Sequence, residues 1–409
     1  MTAYIIYNPQ GGTEGHSQQY ATNLCVGLAN NGVSVHLVTS RDFDPTDVAA
    51  KGVELSYTDI ADSRKTTVRY DSWVSKLRYG AFIIANNFRS FGALNSALAA
   101  KPYMACLLVG GETLTNIIYI LLTYWRRRVV FALTIHNADY VTALYTGDKV
   151  KLGYKIISKF FLKLLTRTRV VIFVHGEAMQ TALATQLRIP EQRISIYKVP
   201  AKLVVQSPID ADAHPSAPVR LLFCGVVRHD KGLDLLCEAL ARCKPIADWR
   251  LRIAGSVRQV GEDYIRGLTA QTGIADSCSF NLKYLSNDEI DQEFKDSDIV
   301  VLPYRRGFIA QSVVMTDAVR WSKPVVVSEH SQNGYDAQKY GLGWTFVSEN
   351  VDSLVAALKT AIGEYAHAQG DTFGFTRFME DHSPSSVGRN IIDGTATSPM
   401  PPCPRPSTP

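Results

Sequence analysis

What this chain lacks narrows it before any motif is read. Its seven cysteines, Cys25, Cys106, Cys224, Cys237, Cys243, Cys278 and Cys403, form no Cys-x-x-Cys pair and have no accompanying histidine cluster. A disulfide framework and a zinc site are therefore not indicated, and the thiols read as buried and reduced, as in a cytoplasmic protein. The start, MTAYIIYNPQGG, has no basic lead segment and no long apolar run, so it does not read as a secretory signal. The most apolar stretch, Met104 to Trp125, is interrupted by Gly110, Gly111, Glu112, Thr113, Thr115 and Asn116. A carboxylate at mid-bilayer costs about 3 kcal/mol, so a spanning helix is not expected there. A strand over 106–109, a Gly-Gly turn and a helix over 114–124 fit instead. The N-terminal glycines do not make G-x-G-x-x-G, which removes the dinucleotide fingerprint. No nucleic-acid-binding motif accompanies the basic residues, so no nucleic-acid partner is expected.

What is present is an ordinary globular composition, 409 residues with 46% hydrophobic and 20% charged side chains, enough for two or three cores. The net charge of +5 is unevenly placed: residues 1–200 carry 22 Lys+Arg against 13 Asp+Glu, and residues 201–409 carry 21 against 25. That asymmetry fits two domains facing different partners. The segment 205–218, VQSPIDADAHPSAP, holds three prolines and no aromatic residue and reads as the linker. The domains expected are 1–204 and 219–370, followed by helices over 371–393. From Gly394 to Pro409 there are six prolines among Ser and Thr, a composition that cannot bury a core and reads as disordered.

In the first half, Tyr4–Tyr7 is strand-like, a Gly-rich loop follows at 10–15, Ser17–Asn30 has helical spacing, and Val33–Val38 is the next strand. This is a βαβ unit, the building block of a parallel sheet. Gly11 and Gly12 can be read as a tight turn or as bare backbone approached by a ligand. Further strands are expected at 81–85, 106–109, 129–135, 170–174 and 194–199. The run over 129–135 ends in His136, at the carboxyl end of a strand, where open α/β sheets bind ligands; a structural histidine and a site histidine both fit. In KLGYKIISKFFLK, residues 151–163, Lys151, Lys155, Lys159 and Lys163 recur every fourth position on one side of a helix. Two readings stay open: a solvated lysine face, or a helix on an anionic membrane surface, where each nearby Lys contributes ~1 kcal/mol.

The second half alternates strand and helix throughout. Its focus is VRLLFCGVVRHDKG, residues 219–232: an apolar strand, Gly225 ending it, then Arg228 and Lys231 on a short loop, then Gly232 and an amphipathic helix. Two cations between a strand and a helix suit an anion. Further on, Ser286 followed by Glu289 makes a capping box.

With these motifs laid out in order, the chain resembles retaining glycosyltransferases of the two-Rossmann-domain class, the GT-B group, of the group 1, family-4-like type. The matching pieces are F-C-G-V-V-R-H-D-K-G at 223–232, L-R-I-A-G at 251–255, D-S-D-I-V-V-L-P-Y at 296–304, Q-S at 311–312, D-A at 317–318 and K-P-V-V-V-S at 323–328, with the Gly11-Gly12 loop, T-I-H-N and F-V-H-G in the first half. The resemblance implies an α/β fold of two doubly wound Rossmann-like domains facing a cleft. It implies transfer of a sugar from a nucleotide-diphosphate sugar to a carbohydrate or lipid-linked saccharide acceptor, in polysaccharide or glycoconjugate synthesis. No cofactor and no divalent metal are expected. Arg228 and Lys231 would hold the donor diphosphate, Gln311, Ser312 and Val313 would start a helix facing the phosphates, and Asp317 would stand where a family Glu contacts the ribose. Gly225 would end the strand beneath the diphosphate, Tyr284 and Leu285 would flank the base, and Gly11, Gly12 and His136 would meet the donor from the first domain. The expected partners are the donor, the saccharide or lipid-linked acceptor and an anionic membrane surface, with the protein cytoplasmic and peripheral on the inner membrane face. The departures are Ile309 in place of the family's first glutamate, Val313 in place of a glycine, Val226 in place of an arginine and Ser322 in place of a glycine. They leave a second reading open, a non-catalytic partner subunit that keeps the fold.

Overall fold

The structure, a computed structural model, describes residues 2–9, 17–58, 73–136, 149–201, 218–243, 248–257, 260–365 and 374–397. The chain forms two compact units, one of Met1–Lys202 with His382–Pro409 and one of Leu203–Asp381. Both are parallel sheets covered by helices. The Gly11-Gly12 loop, the 205–217 linker and the tail beyond Thr397 lie outside the described residues.

The first unit runs β1 (Ala3–Asn8), α1 (Ser17–Asn30), β2 (Ser34–Ser40), α2 (Thr46–Ala49), β3 (Glu54–Thr58), α3 (Trp73–Ala100), β4 (Ala105–Leu108), α4 (Thr113–Thr123), β5 (Val130–Thr134), α5 (Lys149–Leu165), β6 (Val171–Val174), α6 (Glu177–Leu187) and β7 (Ile194–Ile196). The strand order is β3-β2-β1-β4-β5-β6-β7, every pairing parallel. β4, β5 and β6 are buried along their whole length, which is why they read as unbroken apolar runs rather than alternations. Between β4 and α4, Glu112 explains how a carboxylate fits an apolar stretch: it is the helix N-cap, accepting from the backbone N–H of Leu114 and of Thr115 at 2.8 Å each. No helix among the described residues is long and apolar enough to cross a membrane.

Two expectations fail here. The strand expected at 81–85 is the middle of α3. The helix buries Asn86, Asn87, Ser90, Phe91, Leu94 and Ala97 beyond it, a spacing of three and four that a helix satisfies, and Gly80 and Asn86-Asn87, which flank the run as turn residues would, continue the helix instead. The lysines of α5 do not form one solvated face. Lys155 is buried, Lys159 is intermediate and Lys163 is exposed. Four residues advance a helix by about 40° beyond a full turn, so a spacing of four drifts round the cylinder from core to solvent.

The second unit runs β8 (Val219–Cys224), α7 (Leu233–Cys243), β9 (Trp249–Ala254), α8 (Glu262–Gln271), β10 (Cys278–Asn281), α9 (Asn287–Lys295), β11 (Ile299–Leu302), α10 (Val313–Arg320), β12 (Val325–Ser328), α11 (Gln332–Tyr340), β13 (Gly343–Phe346), α12 (Val351–Tyr365) and α13 (Phe375–Asp381). Its sheet order is β10-β9-β8-β11-β12-β13, again parallel. The period of two in β8 assigns its two cores: Leu221 and Phe223 pack with Leu236, Leu240 and Leu358 on one face, while Leu222 and Cys224 pack with Phe294, Met315 and Phe378 on the other. The expected capping box at α9 is formed, Ser286 Oγ accepting from the Glu289 N–H and Glu289 from the Ser286 N–H.

The C-terminal helices do not travel together. α13 stays on the second sheet, because Phe375 and Phe378 are buried with Tyr340 and Trp321; the Tyr340 and Phe378 rings meet edge-on at 5.3 Å. Only α14 (Pro384–Ala396) returns to the first unit, with Val387 and Ile391 in its core. Gly394, Thr395 and Ala396 continue that helix, so the expected disordered tail does not begin at 394. Thr395 is buried and its hydroxyl meets Tyr4 Oη at 2.6 Å, a contact that composition alone could not signal. α14 lies on α1 at backbone contact: a Cβ on Gly27 would sit 2.0 Å from the Pro384 carbonyl oxygen, and one on Gly388 would sit 2.3 Å from the Gly27 oxygen. Gly27→Val should therefore lower stability by about 1–3 kcal/mol through overpacking. It should also make the C-terminal segment protease-sensitive. A melting curve and limited proteolysis matching wild type would refute the close-packed reading.

Candidate active site

In both units the strand order reverses beside the first strand, between β1 and β4 and between β8 and β11. Loops leaving the carboxyl ends at such a point diverge and leave room for a ligand.

In the second unit these loops are 225–232 and 303–312. Gly225 has φ +111° and Gly232 has φ +68°, conformations that disfavour side chains. A Cβ on Gly232 would also lie 2.0 Å from the Pro303 carbonyl oxygen, and one on Gly255 would lie 2.1 Å from the Gly225 oxygen. The chain can make this approach only as glycine. Arg305 then fastens the second loop to the first: its N–H donates to the Asp230 carbonyl at 2.9 Å, its Nε to the His229 carbonyl at 3.1 Å, and its guanidinium pairs with Asp234.

The two cations singled out in the sequence are brought together, each in a distinct setting. Arg228 is held bidentate by Asp230, with Nε–Oδ1 at 2.9 Å and Nη2–Oδ2 at 2.7 Å, and both side chains remain partly exposed. Lys231 has its ammonium 3.6 Å from the Tyr304 ring centroid and 4.0 Å from that of Phe308. Aromatic faces attract the cation but solvate it less than water does. Burial, together with repulsion from Arg228, pulls its pKa down to about 7 against the attraction of Asp230. Tyr304 Oη meets Ser312 Oγ at 3.1 Å, which ties this aromatic cradle to the start of α10.

Gln311, Ser312 and Val313 lie at that start. Ser312 is the N-cap residue, but its hydroxyl is turned to Tyr304 and makes no capping bond; its own N–H goes to Asn333 Oδ1 at 2.8 Å. Gln311 Nε2 donates to Thr316 Oγ1 at 3.2 Å. A Cβ on Gly225 would stand 3.4 Å from Val314, so this helix start faces the 225–232 loop. The amino end of α10 is thus aimed where the cations are and carries no side-chain cap, the arrangement that favours an anion. Asp317, one turn on, is 3.5 Å from the Arg320 guanidinium. Tyr284 and Leu285 follow β10: Tyr284 is exposed, and Leu285 is buried with Leu222, Cys224 and Ala254, beneath the ends of β8 and β9. Ile309, in the 303–312 loop, is buried and gives its carbonyl to the Gln332 N–H at 2.9 Å. A second hollow, lined by Arg220, Arg252 and Glu293 among others, opens along β8–β10; there Arg220 pairs with Asp298 and Arg252 with Glu293, each at 2.7 Å.

In the first unit, His136 follows β5 and is exposed, while His175 follows β6 and is buried. Sequence reasoning singled out one of them; the structure joins both. His136 Nε2 donates to the Val109 carbonyl, His175 Nδ1 lies 3.2 Å from the Tyr197 carbonyl, and the facing nitrogens are 2.9 Å apart. Carbonyls only accept, so each outer nitrogen carries a proton. The inner contact then needs a third proton, which makes the complete row a cation. Desolvation works the other way on both rings, that of His136 where it packs against Tyr20 and His175 although the residue as a whole is exposed, and each ring's pKa is lowered, that of His175 well below its ordinary value. Tyr20 packs edge-on against both rings, at 5.0 and 5.7 Å.

Other residues of the site were not read from sequence: Asp230 as the clamp on Arg228, Tyr304 and Phe308 as the cradle, Arg305 as the fastener, Asn333 as the partner of Ser312. Of these, Asp230 lies within the 219–232 stretch and Tyr304 closes the 296–304 stretch that sequence marked; Arg305, Phe308 and Asn333 lie in neither.

Residues 209–369 match the family profile "Glycosyl transferases group 1". No curated relative matches the sequence. Among solved structures, the lipopolysaccharide outer core galactosyltransferase WaaB in its apo form superposes with a TM-score of 0.65 at 14% identity over 97% of this chain and 99% of its own. Sucrose-phosphate synthase from Thermosynechococcus elongatus does so at 0.67 and 13%, over 97% and 95%. Anabaena HepE, in complex with UDP and glucose, does so at 0.63 and 14%, over 97% and 100%. At such identities these likenesses speak for the fold. Two doubly wound parallel sheets, with the group 1 profile on the second, define the GT-B class. The protein is a glycosyltransferase of that class.

Lys231 gives the site a pH signature. In the unfolded chain its pKa is 10.5 and in the fold about 7. Between those values the unfolded chain binds more proton, so this residue's contribution to stability grows as pH rises through that window. A bound anion acts in the opposite sense, favouring the ammonium. Diphosphate affinity, followed by calorimetry, should fall as pH rises above 7, by up to about tenfold per unit, and Lys231→Arg should flatten the profile. A wild-type affinity constant from pH 7 to 9 would show that the ammonium does not face the anion. For the histidine row, selectively labelled imidazole nitrogens should titrate in one coupled step below the ordinary value of ~6.5, because a second proton would put like charges 2.9 Å apart. Two separate steps would break the pairing.

Proposed function

We propose that the protein transfers a sugar from a nucleoside-diphosphate sugar to a saccharide acceptor, free or lipid-linked, with retention of configuration, in polysaccharide or glycoconjugate synthesis. One observation carries this reading: at the β8/β11 reversal, Arg228 and Lys231 on one loop and the uncapped start of α10 at the end of the other converge. A doubly charged leaving group suits that convergence, and UDP in the HepE complex supports a nucleoside diphosphate.

In this reading Arg228 exchanges Asp230 for diphosphate oxygens, and Lys231 gives its charge from beneath Tyr304 and Phe308. The backbone N–H of Val313, the first residue of α10, completes the cradle, that of Ser312 being held by Asn333, and Tyr284 with Leu285 lies toward the base. Asp317, released from Arg320, would take the ribose. The cations stabilise negative charge as the glycosidic bond breaks, so no divalent metal is required of the mechanism. Gly11 and Gly12 would let the donor approach the first unit's backbone. His136 can bond the sugar only by giving up the Val109 carbonyl or His175, since both its nitrogens are engaged. The acceptor hydroxyl would attack on the face the diphosphate leaves. A lipid-linked acceptor would place the protein at the cytoplasmic side of a membrane, as a peripheral protein.

Purified protein tested against UDP-, GDP-, ADP- and dTDP-sugars should turn over with one of them, and product anomer analysis should report retention. Arg228→Ala and Lys231→Ala should each reduce transfer by about 100-fold or more with the fold intact. Unchanged turnover in both variants would remove the diphosphate assignment.

A further inference from the structure

Among the described residues, large apolar side chains left in solvent concentrate on one part of the first unit. Leu122 is 65% exposed, Trp125 61%, Ile156 61%, Ile157 50% and Phe160 64%. The first two lie at the end of α4, the others on α5, and these helices pack against each other. Tyr124 Oη accepts from the Arg169 N–H at 3.1 Å, which holds the Trp125 turn to the chain just past α5. α5 buries Lys155, Ser158, Leu162 and Leu165 on its inner side. Its outer line runs Ile156, Phe160, Lys163, with Arg167 in the turn just past it, apolar first and then cationic. From Thr113 to Gly176 the only acidic residues are Asp139 and Asp148, whereas Arg126, Arg128, Lys163, Arg167 and Arg169 are all exposed.

Single exposed apolar residues are ordinary; a group of them rimmed by charge of one sign is not. Apolar residues with an indole and flanking cations match a headgroup layer. The rings enter the acyl boundary, Trp is at home at that depth, and Lys and Arg meet lipid phosphates. A second copy on this face would set one cationic rim against another, so self-association fits it poorly. We propose that this α4–α5 face docks the protein on an anionic bilayer surface, with Trp125, Ile156 and Phe160 inserting and Lys163, Arg167, Arg126 and Arg128 contacting phosphates. The inserting element is thus the apolar line, with the lysine repeat contributing only its outward end. This deepens the reading of a lipid-linked acceptor and takes its purpose from it.

The full-length protein would be sedimented with vesicles of phosphatidylcholine alone or mixed with phosphatidylglycerol. Wild type should bind the mixed vesicles at least about tenfold more strongly, and high salt should weaken the binding. A Trp125→Ser/Ile156→Ser/Phe160→Ser variant should lose about tenfold or more in vesicle affinity, and a Lys163→Gln/Arg167→Gln variant should show a weaker salt dependence than wild type. Circular dichroism melts should match wild type, because the replaced side chains are in solvent. Wild type left in the supernatant with mixed vesicles overturns the proposal, as does an apolar-face variant that sediments like wild type. A wild-type dimer that the serine variant dissolves would assign the face to a second copy and also overturn it. Nucleotide binding, measured separately, keeps the two readings apart: vesicle docking without it would sink the diphosphate site and leave this face standing.

Discussion

The site in the second unit depends on one steric constraint, the contact of Gly232 with the Pro303 carbonyl. A Cβ there would be 2.0 Å from oxygen, so no other residue lets the 225–232 loop lie against the chain leaving β11. Because the two lie in contact, Tyr304 and Phe308 cover the Lys231 ammonium, Arg305 can reach both the backbone and the carboxylate of the first loop, and the Tyr304 hydroxyl takes Ser312 away from capping. The settings of Lys231 and of the helix start follow from that contact; the Arg228–Asp230 pair is local to the first loop. The lowered pKa of Lys231 reflects desolvation beneath the rings, and the uncapped helix start reflects a hydroxyl turned elsewhere.

The same device recurs where α14 meets α1. Gly27 and Gly388 bring two helices to backbone contact, which leaves room for Val387 and Ile391 to reach the first core. In both places glycine sets distance rather than flexibility.

Much of the fold was legible from sequence because parallel strands buried on both faces are unbroken apolar runs. β4, β5, β6, β11 and β12 announce themselves in this way, and their alternation with amphipathic helices implies the parallel sheets. The failures have the same root. AFIIA at 81–85 is an apolar run too, and only the spacing of buried residues beyond it, Asn86 to Ala97, reveals a helix. β3 was missed because it is a half-exposed edge strand with no apolar run. The cations of the site could be found because they stand at a strand end followed by glycine. Their environment could not, since Phe308 is 77 residues along the chain from Lys231 and nothing local to either marks the pairing. His175 was likewise invisible as the partner of His136, because strand neighbours β5 and β6 are joined through a long helical connection.

The carboxylate that grips Arg228 has a consequence for exchange with solution. Asp230 already occupies the guanidinium as an internal counter-ion, so on the proposed reading an incoming diphosphate would replace a tethered anion rather than dissolved ones. Few bulk ions are then liberated by that step, and the Arg228 contact adds little to the dependence of binding on ionic strength. When the anion departs, the tether closes on the arginine at once, and the site returns to its resting charge without recruiting salt.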